Sequence, residues 1–250
     1  MASNRVLVTG GCGFIGSALV RHLVGNQRIR VTNIDKLTYA GDPSTVADVA
    51  SNPLYAFEHV DVCDRVAVTA ILKSFCPDTI IHLAAESHVD RSIDGPSAFI
   101  HTNLVGTFTL LEAALEFWQG LRGSTKKRFR LLHVSTDEVY GSLPLNNERF
   151  TEDSQYAPNS PYAASKAGSD HLARAWWQTY GLPVIISNCS NNYGPYQFPE
   201  KLIPTVIIAA LEGRSIPVYG QGANVRDWIF VDDHVRALTR IIASGSPGQT

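Results

Sequence analysis

Grouped cysteines are missing from this chain. Its four, Cys12, Cys63, Cys76 and Cys189, are scattered, with no CxxC pair and no Cys/His cluster. That spacing argues against a disulfide framework and against a metal site, and it fits a reducing cytosol. An excess of one charge is missing too: 21 Lys+Arg against 23 Asp+Glu leave a formal net charge of -2. No nucleic-acid footprint follows, and the cluster Lys126-Lys127-Arg128 reads as a solvated loop. No apolar run reaches bilayer-spanning length, and the N-terminus arrives at an apolar strand by Val6 without a basic leader. The expectation is a soluble, cytoplasmic protein without a targeting signal and without a membrane or nucleic-acid partner. Internal repeats, low-complexity tracts and obvious linkers are also lacking.

What is there suffices for a substantial core: 250 residues at 44% hydrophobic suit one large α/β domain, or one domain plus part of another. Residues 5 to 9 read as a buried strand ending in glycines, and Phe14 to Val24 as an amphipathic helix. Further strands are expected near 30 to 34, 56 to 60, 79 to 83, 130 to 135 and 183 to 187, with helices at 64 to 74, 97 to 118 and 161 to 180. This alternation predicts a doubly wound α/β fold, a parallel sheet covered on both faces with ligands at the carboxyl ends of its strands. After Ser187 the composition shifts toward Asn, Pro, Tyr and Gly. The expected division is a dinucleotide-binding Rossmann domain over 1–187 and a partial substrate lobe over 188–250, with 229–243 a segment that can return to the first.

Gly10-Gly11-Cys12-Gly13-Phe14-Ile15-Gly16 places glycines between a strand and a helix, where a tight turn and a close approach to a pyrophosphate both demand residues without side chains. A ligand-free tight turn would need some of the same glycines. Asp35 shifts the balance: it closes the second strand about twenty residues on, where a carboxylate can accept both ribose hydroxyls of NAD and would repel the phosphate of NADP. Lys36 beside it softens that discrimination. Asp61 is placed to meet an adenine amine or to cap the next helix, for which Asp64 is the better candidate. Leu83-Ala84-Ala85-Glu86-Ser87 ends the fourth strand with small residues, suited either to a dinucleotide or to packing.

Tyr162 and Lys166 stand four apart at the start of a helix introduced by Asn159-Ser160-Pro161, so they share a face, and the ammonium is expected to lower the phenol's pKa. Thr136, at the end of the fifth strand, can hydrogen-bond a reacting hydroxyl or merely end the strand. The next two residues, Asp137 and Glu138, are surplus to alcohol oxidation, which suggests that chemistry continues after it.

These segments together resemble the extended short-chain dehydrogenase/reductase superfamily and, within it, the dTDP-glucose 4,6-dehydratases. TGGCGFIGS, IDKLTYAG, LAAESHVDRSI, STDEVYG, YAASKA, NCSNNYGPYQFPEKLIP and PVYGQGANVRDWIFVDDH all look like that family, and the Asp-Glu pair distinguishes it from the similar sugar epimerases. The resemblance implies a lyase with retained NAD, acting in deoxysugar synthesis such as that of rhamnose. Tyr162 takes the proton of the sugar 4-hydroxyl with Thr136 and Lys166 in support, Glu138 takes the C5 proton, and Asp137 protonates the departing 6-hydroxyl.

The same resemblance implies a cofactor set of Gly10, Gly13, Phe14, Ile15, Gly16, Asp35, Lys36, Leu37, Thr38, Asp61, Val62, Leu83, Ala84, Ala85, Ser87, Thr102, Tyr162, Lys166 and Asn192. For the nucleotide sugar it implies Ser87, Thr136, Asn191, Lys201, Leu202, Pro217, Tyr219 and Arg226, and it implies a homodimer. Lys201 and Arg226 suit a diphosphate, and Tyr219 a pyrimidine. Bland alternatives stand beside these: an exposed helix-start cation for Lys201, packing for Tyr219, and a local ion pair of Arg226 with Asp227. Family members continue beyond Thr250, so the chain reads as truncated in its second lobe. A UDP-glucose 4,6-dehydratase and a non-catalytic NAD-binding fragment or paralogue are the alternative readings.

Overall fold

Alternation along the strands builds two cores on one sheet. In β1 (Arg5–Thr9), Val6 and Val8 point to one face and Leu7 to the other, and all three are buried, as a strand covered on both sides requires. The computed structural model describes residues 5–143, 149–216, 218 and 221–250. Around β1 run β2 (Arg30–Asp35), β3 (Tyr55–His59), β4 (Thr79–His82), β5 (Arg130–Thr136) and β6 (Val184–Cys189) in the order β3-β2-β1-β4-β5-β6. Every pairing in this sheet is parallel. The winding reverses between β1 and β4, where Thr9 is in register with His82, and a crevice opens at the carboxyl ends of the strands there.

The helices follow their capping residues. After α1 (Phe14–Arg21), Asp42 caps the turn leading into α2 (Ala47–Ala50). Asp64, as expected, caps α3 (Arg65–Phe75) by accepting from Ala67 N at 3.0 Å, and Cys76 ends it in the left-handed region. Short helices α4 (Val89–Asp94) and α5 (Pro96–Phe99) lead through a wider turn, Ile100–Gly106, into α6 (Thr107–Gly120), followed by α7 (Gly123–Arg128). Ser160 caps α8 (Pro161–Tyr180), proline occupies its first position, and Gly181 closes it with φ 73°. The chain ends with α9 (Leu202–Leu211) and α10 (Val231–Ser244).

One sheet face packs Leu7, Ile80 and Leu131 under α3, α6 and α8 through Val68, Leu72, Leu110 and Trp176. The other packs Val6, Val8 and Leu132 under α1 and α10 through Leu19, Val235 and Leu238. The fold is therefore the doubly wound α/β arrangement that the alternation predicts, with strand positions within a residue or two of expectation. Two features were not anticipated. A parallel pair, β7 (Asn191–Tyr193) and β8 (Trp228–Phe230), follows β6, and Gly248 N and Gln249 O hydrogen-bond to Val184 and Ile186 on the free edge of β6. Contrary to the reading of the bare sequence, one helical stretch, Pro96–Gly120, is long and apolar enough to cross a membrane by composition. Its apolar window is 61% buried against the sheet and α8, so here it serves as a core helix.

Candidate active site

The glycine loop divides its labour. A Cβ on Gly10 would lie 2.7 Å from Ala84 Cα, and one on Gly16 would lie 2.0 Å from Gly10 O, so these two glycines let the loop, β4 and α1 pack. A Cβ on Gly13 would meet nothing nearer than Gly10 O at 3.4 Å. The protein's own packing leaves room there. What needs the bare backbone at Gly13 is a group approaching from outside, at the uncapped N-terminus of α1, and that is the fit expected of a dinucleotide phosphate.

Asp35 closes β2 at the floor of the same crevice. Its Oδ2 accepts from Cys12 N and its Oδ1 from Leu37 N, both at 2.9 Å, so it anchors the glycine loop while its carboxylate lines the cavity. Lys36 is not free to compete for a phosphate: its Nζ lies 3.4 Å from Asp61 Oδ2 and donates to Thr102 Oγ1 at 3.0 Å. Asp61 is engaged in turn by Cys63 N at 2.9 Å, and it is Val60 and Val62 beside it that line the cavity. Leu37 likewise contributes its N–H to Asp35 and stays out of the lining.

The cavity measures about 300 Å³. Its wall on the cofactor side includes Gly10, Gly13, Phe14, Ile15, Gly16 and Thr38, and further along Leu83, Ala84, Ala85, Ser87 and Thr102. At its far end the sheet brings in the reactive groups. Thr136 ends β5 and caps the turn Asp137–Tyr140, its Oγ1 accepting from Glu138 N at 3.3 Å, while α8 delivers Tyr162 and Lys166. Thr136, Glu138, Tyr162 and Lys166 face this one cavity. Asp137 stands just behind the lining, its Oδ1 accepting from Thr136 Oγ1 at 3.4 Å.

Burial raises both carboxyls above their ordinary range. For Asp137 the Thr136 hydroxyl opposes that rise; for Glu138 the neighbouring Asp137 adds to it, and Lys201 and Arg226 oppose it. A buried carboxyl pair in which Asp137 raises Glu138 favours holding a proton, and a paired acid and base require one carboxyl protonated and one ionised.

The expected lowering of the Tyr162 phenol by Lys166 is not what this arrangement produces. Tyr162 is raised, by burial first and Glu138 second, with the Thr136 hydroxyl opposing. Lys166 Nζ instead donates to Val134 O at 2.8 Å. Sharing a helix face brought the two side chains to one cavity, but desolvation of the phenolate outweighs the neighbouring ammonium.

At another part of the wall, Asn191, Asn192 and Lys201 line the cavity, and Lys201 Nζ donates to Ser87 O at 3.0 Å, joining the segment before α9 to the one that follows β4. Asn192 is held by His234, whose Nδ1 lies 2.8 Å from Asn192 Oδ1. Leu202 lies instead in a neighbouring apolar groove with Tyr193 and Trp228. Arg226 is exposed and outside the lining, though its charge reaches both carboxyls. Pro217 and Tyr219 lie outside the described residues.

The structure adds lining residues that sequence reasoning missed, among them Gly41, Cys189, Gln197, Phe198 and Glu200. It also reveals a buried partner of the catalytic helix, Asp170, whose spacing of four from Lys166 was visible but carried no recognised motif.

The comparisons agree with this geometry. The GDP-mannose 4,6 dehydratase family model matches residues 7–250. A dTDP-glucose 4,6-dehydratase of Shigella flexneri is 59% identical over 98% of this chain and 70% of its own length. One from Neisseria meningitidis is 58% identical over 99% of this chain and 70% of its own. Among solved structures, the dTDP-glucose 4,6-dehydratase DesIV of Streptomyces venezuelae, with NAD bound, superposes with a TM-score of 0.90 at 48% identity, covering 98% of this chain and 73% of that one. A glycine loop closed on β4, a carboxylate ending β2 and an acid pair facing a Tyr/Lys helix are thus found in a chain that belongs to the nucleotide-sugar 4,6-dehydratase family and, within it, to the dTDP-glucose 4,6-dehydratases.

Proposed function

We propose that the protein is a hydro-lyase that converts dTDP-glucose to dTDP-4-keto-6-deoxy-glucose with retained NAD, in deoxysugar synthesis. The observation that carries this reading is that Thr136, Glu138, Tyr162 and Lys166 line the same cavity as the glycine loop and Asp35. Gly13 and the N-terminus of α1 would hold the pyrophosphate, Asp35 the adenosine ribose, and Lys166 the nicotinamide ribose. NAD bound there supplies a hydride sink at C4 and a hydride source at C6.

The chain's own residues handle the protons. Tyr162 acts as phenolate, a form that the Lys166 ammonium and the cationic nicotinamide would favour against burial and Glu138; its Oη accepts the proton of the 4-hydroxyl, steadied by Thr136 Oγ1, which leaves a 4-ketone. The C5 proton is now α to a carbonyl, and Glu138 removes it while Asp137 protonates the 6-hydroxyl, so water departs. Glu138 then returns its proton to C5. Ser87, Asn191, Lys201 and Arg226 hold the nucleotide sugar, the two cations meeting the diphosphate; Pro217 and Tyr219 complete that set, and Leu202 would join it only if the sugar nucleotide reached the neighbouring groove.

The same reading divides the chain into a Rossmann domain, 1–187 with α10 returning to it, and a nucleotide-sugar lobe made from the rest of 188–250. It takes the protein to be a cytoplasmic homodimer. Free cysteines fit a reducing compartment, and exposed Val105, Phe108 and Tyr180 on and beside α6 and α8 fit a helical interface.

The test is direct. Incubation with dTDP-glucose should give the alkali-induced absorbance of a 4-keto-6-deoxy product, at a kcat/KM well above that with UDP-glucose. Absence of product with both, despite bound NAD, would overturn the catalytic reading.

A further inference from the structure

Asp170 sits on α8 one turn beyond Lys166 and is 2% exposed, yet no proton transfer described above uses it. A carboxylate so deeply buried persists only when its oxygens are partnered. Ser135 Oγ donates to its Oδ2 at 2.8 Å and Tyr156 Oη donates to the same oxygen at 2.9 Å, while Oδ1 makes no hydrogen bond among the described residues and has His133 Nε2 as a charge contact at 3.0 Å. Burial pushes Asp170 up, but His133, Lys166 and Ser135 together hold it below the usual carboxylate range, so it stays ionised.

Its partners are not scattered. Ser135 directly precedes Thr136, Asp137 and Glu138. Asn188 Nδ2 approaches Tyr156 Oη at 3.5 Å and donates to Thr136 O at 3.2 Å. Asp170 therefore ties the helix that carries Tyr162 and Lys166 to the strand end that carries the acid and base.

The surroundings of Lys166 make the charge on Asp170 matter. Lys166 is itself buried, and burial alone lowers its affinity for a proton. From β6 it faces Cys189, whose thiol burial pushes up to about 12 and keeps neutral. From β4 and β5 it faces His82 and His133, both lowered by burial and so neutral. Val134 O accepts its hydrogen bond but carries no charge. Among the described residues whose charge acts on Lys166, Asp170 is the anion at neutral pH.

We propose that Asp170 is a positioning residue of the dehydratase, a buried counter-ion that keeps Lys166 protonated and clamps the end of β5 against α8. The proposal rests on the assignment of Lys166 to the reaction, but the coupling between the two side chains can be read without it.

The variant is Asp170→Asn, whose amide keeps an acceptor for His133 and offers donors to the Ser135 and Tyr156 hydroxyls while removing the charge. In holoenzyme labelled with ¹⁵N-lysine, the Lys166 Nζ signal is titrated by NMR, with its assignment taken from Lys166→Arg. Lys166 and Asp170 stand four apart on α8 and so share a face, and an opposite charge within about 4–6 Å is worth about 1–3 pH units. The expected result is that Lys166 loses its proton at least about one unit lower in Asp170→Asn than in the wild type, and that the alkaline limb of the kcat profile moves the same way. If Asp170→Asn does not fold, Asp170→Leu with Ser135→Ala and Tyr156→Phe removes both hydroxyl donors that would face an apolar side chain, leaves His133 Nε2 its Ser169 Oγ contact at 3.1 Å, and is measured identically. A Lys166 titration that superimposes on the wild type, whatever the loss in Tm, overturns the proposal. A shifted titration with no change in the alkaline limb upholds the coupling and counts against the assignment of Lys166 to the reaction.

Discussion

Tyr39 Oη donates a 2.9 Å hydrogen bond to Glu200 Oε1 across 161 residues of sequence, and Glu200, like Thr38 and Ala40 on either side of Tyr39, lines the cavity. The Tyr39 ring meets Phe198 edge-on at 5.4 Å between centroids, and the Arg91 guanidinium lies 3.8 Å above it. Arg91 Nε and His88 Nε2 also approach Glu200, at 3.5 and 3.7 Å. Three separate segments thus close over the space where Gly41, Thr38 and Phe198 line the wall. Tyr39→Phe keeps the ring contacts and removes the hydrogen bond. In so exposed a setting the effect on stability should not exceed about 1 kcal/mol. Release of NAD should nevertheless become several-fold faster in a stopped-flow displacement experiment, and an unchanged release rate would show that the contact is not a clasp.

The glycine loop predicts a contrast between neighbours. Gly16→Ala drives a Cβ to 2.0 Å from Gly10 O and should cost about 3 kcal/mol or more, because the obstacle is backbone. Gly13→Ala meets nothing tighter than 3.4 Å and should change stability by no more than about 1 kcal/mol. Its effect should fall on the cofactor, as a loss of NAD affinity of at least about tenfold if the new methyl forfeits about 1.4 kcal/mol. Thermal denaturation and NADH titration of both variants decide the matter; normal NAD affinity in Gly13→Ala would refute the role given to that position.

Glu138 is expected to trade stability for chemistry. Its folded pKa is raised by burial and then by Asp137, so the folded state binds a proton more readily than the unfolded chain. Stability therefore falls as pH rises from the ordinary glutamate range through the raised value, and the full cost remains at neutral pH. Glu138→Gln should raise Tm at pH 7, with the difference shrinking as pH drops through the raised value toward the ordinary glutamate range. The same variant should still show the absorbance of reduced nicotinamide from C4 oxidation but form no dehydrated product. Product at the wild-type rate would remove Glu138 from the mechanism.

His234 sets an acid limit on the fold. Its Nδ1 is committed to Asn192 Oδ1, its Nε2 is buried with no partner among the described residues, and burial lowers its pKa to about 4. Protons therefore bind the unfolded chain first. Stability is fully present above about pH 6.5, the unfolded value, and is lost as pH falls toward about 4, by ~3 kcal/mol in all. Denaturant unfolding between those limits should show a shallower pH dependence in His234→Gln than in the wild type. Equal slopes would mean that other buried groups, His82 and His133 foremost, account for the acid sensitivity.

Much of this was legible in the amino-acid order because it is local. Alternating buried residues such as Val6, Leu7 and Val8 define a strand, Ser160 and Pro161 start a helix, and each acts over a few positions. The glycine loop and Asp35 were legible for a related reason: a phosphate and a ribose demand particular residue types at a particular distance from a strand end. The surroundings of Asp61 were not legible, since the carboxylate at that strand end is engaged by Lys36 and Cys63 N. Lys36 lies on the loop after a different strand, and nothing in the spacing says which way its ammonium swings.

By itself, then, the sequence determined the doubly wound sheet and the glycine turn, and it set Asp137, Glu138, Tyr162 and Lys166 in short motifs, because periodicity and chemical requirement are written in neighbouring positions. Only the tertiary structure decided their ionisation and their partners. Whether Tyr162 rises or falls depends on summing burial, Glu138 and Thr136, and whether Asp170 stays charged depends on summing burial, His133, Lys166 and Ser135. Those sums run over segments tens of residues apart, brought together by the packing of α8 on β5, and desolvation exists only once that packing has excluded water.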